Sequence, residues 1–303
     1  APDTALSLSS ISDTDREHVR FALAQKVDYI AMSFVRSGDD MRELRWLVRH
    51  LKGDAALIAK IEKAEAINNF EGILEQSDGI MVARGDLGVE TPAEEVPVHQ
   101  KNIIRRCNEV GKPVITATQM LQSMIENPRP TRAESTDVAN AIVDGTDAIM
   151  LSGETAIGKY PLQTVEMMVR IAGIAEKYMD AHEELHRVTP SLEAIEGEKL
   201  RSVPAAISHI TAGLAKMLNA KLIVASTWSG YTARRVARVR PTTPILAATP
   251  NRETYNRLAL VWGVMPILVD EFETIDEMID VVVNKAKEIE LVEHCLLYTS
   301  DAA

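Results

Sequence analysis

Short apolar segments recur along the first part of this chain, separated by amphipathic stretches, and this alternation constrains the fold more than any other feature. The segments fall at residues 29–34, 57–61, 79–83, 113–117 and 148–151. Each is too short for a buried helix and is rich in β-branched or small apolar residues, which reads as strand. Their spacing of roughly 25 to 35 residues is close to the ~31 residues per unit of an eight-unit parallel βα barrel. Both faces of each segment are apolar, as expected of a parallel sheet covered by helices.

The intervening segments carry helix signals. Ser12 with Asp15 three residues later forms a capping-box pattern ahead of Val19, Phe21 and Leu23. Thr131 with Glu134 repeats it just after the turn Asn127-Pro128-Arg129-Pro130, and Gly145 supplies a left-handed stop before the next strand. Past Met167 the pattern changes. The chain is helical at first, then charged and loop-like to Gly197, and a domain boundary is placed near Asp180. A second alternating series follows, with a helix opening near Val203-Pro204 behind Ser202. Its strands fall at 222–226, 245–248 and 266–269, and a last helix at 275–289. This predicts an α/β chain with a partial (β/α)8 barrel over residues 1–180 and a small open α/β domain over 181–303. The stretch 293–303 has neither helical period nor loop character and is set apart as an artefact tail.

Composition excludes several function classes. With 303 residues, 46% apolar and 25% charged, the chain has the balance of a globular protein. A net charge of −11 with no basic run argues against a nucleic-acid binder. The two cysteines, Cys107 and Cys295, form no CxxC or metal-ligand cluster, which points to a reducing, cytoplasmic setting. No apolar run reaches the ~18 residues of a membrane span. The first residue is Ala1 and not Met, so a natural start is not expected there.

Parallel βα barrels do their chemistry at the C-terminal ends of strands, and polar residues gather there. The second segment ends Ala59-Lys60-Ile61-Glu62, the third Ala83-Arg84-Gly85-Asp86, the fourth Ala117-Thr118-Gln119 and the fifth Leu151-Ser152-Gly153-Glu154. Glu62 and Asp86 offer two hard carboxylates, a donor set suited to Mg²⁺. Lys60 would bring an ammonium beside such a metal, an arrangement suited to phosphoryl transfer. Other readings stay open at this level. Lys60 and Glu62 can be a solvated ion pair, Arg84-Gly85-Asp86 a plain turn, and Thr118 and Ser152 helix caps.

The residues Ile58-Ala59-Lys60-Ile61-Glu62, Met81-Val82-Ala83-Arg84-Gly85-Asp86-Leu87-Gly88, Ala117-Thr118-Gln119-Met120-Leu121, the run 128–134 and Met150-Leu151-Ser152-Gly153-Glu154-Thr155 together resemble the pyruvate kinase family. The resemblance runs from about Asp13 to Val292. It implies transfer of a phosphoryl group from phosphoenolpyruvate to ADP, giving pyruvate and ATP. It further implies Glu62 and Asp86 as ligands of Mg²⁺ or Mn²⁺. Lys60 would stabilise the phosphoryl group and the enolate. Gly85, Asp86 and Thr118 would meet substrate, with Thr118 and Ser152 on the side from which the enolate is protonated. Arg84 and Glu154 would position these groups. In the small domain Thr227-Trp228-Ser229-Gly230-Tyr231-Thr232 resembles the family's loop for a phosphorylated effector, with Arg234, Arg235 and Arg238 nearby; an ordinary βα loop is the other reading. The family also implies a homotetramer and K⁺ dependence. The residues that would hold K⁺, like the first three barrel strands and the lid domain, have no counterpart here, so the chain taken alone is expected to be an inactive piece of the enzyme.

Two other classes are weighed. A metal-dependent aldolase or lyase acting on pyruvate or oxaloacetate would share the metal and the enolate but would not need the small domain. A non-enzymatic effector-binding module would tolerate loss of Lys60 or Asp86, and both are present.

Overall fold

The computed structural model describes residues 11–181, 203–272 and 274–292. The chain divides into two compact units, residues 1–181 and 182–303. In the first, β1 (Tyr29–Met32), β2 (Ala56–Ile61), β3 (Gly79–Ala83), β4 (Val114–Ala117) and β5 (Ala148–Ile149) form one sheet in the order β1-β2-β3-β4-β5. Every pairing is parallel. Each strand returns through at least one helix, so all five C-terminal ends point the same way. The expected strands are all found, but the first and last are shorter. β1 stops at Met32 because Phe34 turns into the left-handed region at φ 57°, and β5 keeps only two residues.

Burial explains why these segments are strands. Every residue of β3 and β4 is buried. Leu57, Ala59 and Ile61 of β2 pack with Ile80 and Val82 of β3 against Met41, Leu44 and Leu47 of the helix Gly38–His50 and Ile104 of the helix Val96–Val110. The strand entries are held by carboxylates. Asp78 accepts the Leu57 N–H at 2.7 Å and Arg45 Nη2 at 3.0 Å, and Asp147 accepts the Val114 N–H at 3.0 Å. Both predicted capping boxes form, at Ser12 for Asp13–Ala24 and at Thr131 for Arg132–Val143. The glycine stop forms as well. Gly145 sits at φ 91°, and a Cβ there would lie 2.9 Å from Asn108 Nδ2, the group that donates to the Gly145 carbonyl.

The second unit carries β6 (Ile223–Ser226), β7 (Ile245–Thr249) and β8 (Val264–Leu268) in the order β6-β7-β8, again parallel. Ile245 and Ala247 pack with Ala233, Val236 and Leu258 on one side, while Leu246 and Ala248 meet Val282 and Ala286 of the helix Ile275–Glu288 on the other. On β6 burial alternates, and Val224 and Ser226 stay exposed. The two-sided burial expected of the first unit's strands holds for β3 and β4 and not for β1, where Ala31 is exposed. The Ser202 cap and the tail 293–303 lie outside the described residues. Among the described residues no helix is long and apolar enough to cross a membrane.

Candidate active site

The strand-end residues fall into three groups, each built from neighbouring strands. At the ends of β1 and β2, Lys60 Nζ lies 2.6 Å from Glu62 Oε1 and donates to Ser33 Oγ at 2.9 Å. The second carboxylate oxygen, Glu62 Oε2, accepts the Phe34 N–H at 2.7 Å. The left-handed turn at Phe34 is what aims that N–H at the carboxylate. Glu62 is 1% exposed, so the pair is not the solvated surface ion pair left open by the sequence.

The second group joins the ends of β3 and β4. Arg84-Gly85-Asp86 is the first turn of the helix Arg84–Glu90, where a loop turn was the other reading. The Gly85 N–H therefore has no acceptor within the helix, and it donates to Thr118 Oγ1 at 2.8 Å. Thr118 and Gln119 both adopt positive φ, 68° and 56°. Arg84 reaches back under this turn, donating to the Thr118 carbonyl at 2.8 Å and to Asp137 Oδ1 at 2.6 Å. Asp86 is exposed, and its side chain makes no hydrogen bond or ion pair among the described residues.

The third group joins the ends of β4 and β5. Glu154, 1% exposed, accepts the Leu121 N–H at 3.2 Å and the Ser152 N–H at 2.8 Å. Ser152 precedes the short helix Gly153–Ala156, but its hydroxyl forms no capping bond there. Thr118 does not cap the segment that follows it either, since its hydroxyl accepts from Gly85 N and donates to the Ala117 carbonyl.

The donor set fits a hard divalent cation. Glu62 is fixed by its neighbours, Asp86 is unengaged, and Mg²⁺ is commonly held by one or two carboxylates with water and substrate oxygens completing its shell. No group of three or more His, Cys, Asp or Glu side chains able to hold a metal occurs among the described residues, so a cation here would depend on ligands beyond protein side chains of those types.

Strand-end reasoning stopped one strand short. Ser33 follows the end of β1, and the same criterion would have found it; Phe34 contributes only its backbone N–H, which a search for polar side chains does not find. Asp137 and Gln100, which contact Arg84, lie on helices and gave no signal in the sequence. In the second unit the loop 227–232 does follow β6 and open the helix Tyr231–Ala237. Trp228 and Tyr231 are exposed, and Arg234 Nη2 donates to the Ser229 carbonyl at 2.9 Å.

The fold and the three groups define a class: a parallel α/β protein with a lysine and two carboxylates at its strand ends, followed in sequence by a small α/β domain. Comparison with known proteins narrows it. Residues 1–165 match the pyruvate kinase barrel domain, and residues 205–297 match the pyruvate kinase alpha/beta domain. The second match extends into the stretch from 293 set apart above. Pyruvate kinase 2 of Synechocystis sp. is 48% identical over 288 residues, covering 95% of this chain and 47% of that protein. The pyruvate kinase of Geobacillus stearothermophilus is 48% identical over 294 residues, covering 97% and 49%. A crystal structure of a pyruvate kinase from Cryptosporidium parvum superposes with a TM-score of 0.88 at 40% identity, covering 96% of this chain and 60% of that one. The chain belongs to the pyruvate kinase family. It spans about half the length of these curated relatives. Nothing in these comparisons supports the aldolase alternative.

Proposed function

We propose that the strand-end groups bind phosphoenolpyruvate with a divalent cation and take part in moving its phosphoryl group to ADP, giving pyruvate and ATP. The observation that carries the reading is the Lys60–Glu62 pair. The family match supports the reading, as does a buried carboxylate held by an ammonium and a backbone N–H at the C-terminal end of a parallel sheet.

A divalent cation at Glu62 and Asp86, Mg²⁺ or Mn²⁺, would neutralise charge on phosphoryl oxygens. Lys60 places a second positive charge beside them. Its value is greatest as the P–O bond breaks and the enolate oxygen keeps the electron pair, because such interactions gain strength where charge develops. The substrate carboxylate would meet the Gly85 N–H, which now donates to Thr118 Oγ1, and the Thr118 hydroxyl, which now donates to the Ala117 carbonyl at 2.6 Å, so binding would exchange two internal bonds for two to the ligand. The enolate carbon then takes a proton from the side lined by Thr118, with the uncapped Ser152 hydroxyl as a relay. K⁺ dependence, a homotetramer, a phosphorylated effector at 227–232 and a cytoplasmic location are part of the same proposal, as is the division of roles between residues 1–180 and 181–303.

Paramagnetic broadening of the phosphoenolpyruvate ³¹P resonance tests the reading on the chain itself. Bound Mn²⁺ should broaden the signal in the parent, and Glu62→Gln should abolish the effect. Equal broadening in parent and variant would move the substrate elsewhere.

A further inference from the structure

Thr118 and Gln119 form the least favourable piece of backbone near the site. Two successive non-glycine residues hold left-handed φ values of 68° and 56°, one of them β-branched. Such a backbone conformation is costly and persists only where its surroundings over-determine it. The turn has a use. It sets Thr118 Oγ1 2.8 Å from the Gly85 nitrogen, an orphan N–H at a helix start.

What over-determines the turn is Arg84. Its guanidinium donates to the carbonyls of Ala117 at 3.3 Å and Thr118 at 2.8 Å, and it also reaches the Met120 sulfur. A guanidinium can hold several acceptors in a fixed plane only if the plane itself is held. Here Nη1 is fixed by Asp137 Oδ1 at 2.6 Å and Gln100 Oε1 at 3.3 Å. Gln100 is 5% exposed and in turn donates to Asp144 Oδ2 at 3.0 Å. Asp137 lies on Arg132–Val143, an element that carries none of the strand-end residues.

We infer that Asp137 is a positioning residue: acting through Arg84, it holds the Thr118–Gln119 turn in the conformation that sets the Thr118 hydroxyl on the Gly85 N–H. The importance of those two groups to substrate rests on the function proposed above, but the geometric claim does not. Asp137 touches no strand-end residue except Arg84 in the bonds described. Its loss leaves Nη1 with only the longer Gln100 contact at 3.3 Å, so the guanidinium plane is held less tightly, its bonds to the two carbonyls weaken, and the turn relaxes toward negative φ more often.

Amide hydrogen exchange at Gly85, read by NMR in the whole chain, tests this without any catalysis. Thr118→Val removes the acceptor and sets the exchange rate of an uncovered Gly85 amide. Asp137→Ala and Arg84→Lys should each raise the Gly85 rate by about tenfold or more toward that value, as expected of a local opening. Asp137→Glu should restore part of the protection, and the strand amides of Ile61 and Val82 should stay within about twofold of the parent. A Gly85 rate unchanged in both variants would overturn the inference. So would a proportional rise at Ile61 and Val82, which would make the pair a general stabiliser. If the proposed function fails, ³¹P broadening by Mn²⁺ is lost while the exchange pattern remains, so the two failures read differently.

Discussion

Replacing Lys60 with Met should destabilise the first unit in a way that a second mutation repairs. Lys60→Met keeps most of the side-chain volume and removes the ammonium 2.6 Å from Glu62 Oε1. Glu62, 1% exposed, then keeps only the Phe34 N–H at 2.7 Å among the bonds described. Breaking a fully buried pair by removing one partner costs about 3–5 kcal/mol, most of it the desolvation of the charge left behind. The Lys60 side chain is 25% exposed, so water screens part of that loss, and about 1–3 kcal/mol is the expected cost. At about 2–4 °C per kcal/mol for a unit of this size, calorimetry should resolve the shift in melting temperature. Adding Glu62→Gln should recover at least half of it, because the uncompensated charge is gone. Mn²⁺ should stabilise Lys60→Met more than the parent, since the cation takes over the role of the missing ammonium. A Lys60→Met protein within about 0.3 kcal/mol of the parent, with no recovery from Glu62→Gln, would refute the argument and return the pair to the class of solvated ion pairs.

Glu134 carries the clearest pH dependence. Burial pushes its carboxyl up, but hydrogen bonds from Ser123 N and Oγ and from Thr131 N and Oγ1 outweigh it and hold the group below the ordinary Glu value. A depressed carboxylate contributes stability above its unfolded value of about 4.3 and loses it as the pH falls through the folded value. Denaturant titrations should therefore show a parent-minus-Glu134→Gln difference that is flat at neutral pH and shrinks toward acid; a difference independent of pH would be contrary. Gly230→Ala should destabilise the second unit by at least about 1 kcal/mol, because a Cβ at φ 77° would lie 2.7 Å from Arg234 Nη1 and 3.1 Å from Leu258 Cδ2. An effector loop is thus better tested by Thr232→Glu, which is exposed and should block a phosphorylated ligand without disturbing the fold; equal melting of Gly230→Ala and parent would remove that distinction. Where the parent turns over phosphoenolpyruvate, Lys60→Met should lower kcat by about 10²–10³ with a much smaller change in KM; a drop within about twofold would refute its role.

Sequence patterning and structure agree where burial is the cause. The strands from 57 to 61 and 79 to 83 were legible because both faces must be apolar, and the boxes at Ser12 and Thr131 because capping is a local bond between residues three apart. Lys60, Glu62, Asp86, Thr118 and Ser152 could be named because strand ends are visible in one dimension. The early end of β1 could not be read, since it depends on Phe34 adopting positive φ to serve Glu62, a partner 28 residues away. Nor could the engagement of Gly85 with Thr118, 33 residues apart, or the anchoring of Arg84 by Asp137, 53 residues apart. These bonds join elements that only the sheet order brings together. The exposure of Ala31 in β1 escaped notice for a related reason, because an apolar residue looks the same in sequence whether or not a helix covers it.

The central claim is that Glu62 and Asp86 hold a divalent cation at the strand ends, and titration with Mn²⁺ followed by water-proton relaxation tests it most directly. The account predicts one enhanced site in the parent. Its affinity should fall sharply in Glu62→Gln and in Asp86→Asn, because each change replaces an anionic ligand with a neutral one, and it should survive in Asp137→Asn. Unchanged Mn²⁺ affinity in both carboxylate variants would contradict the account.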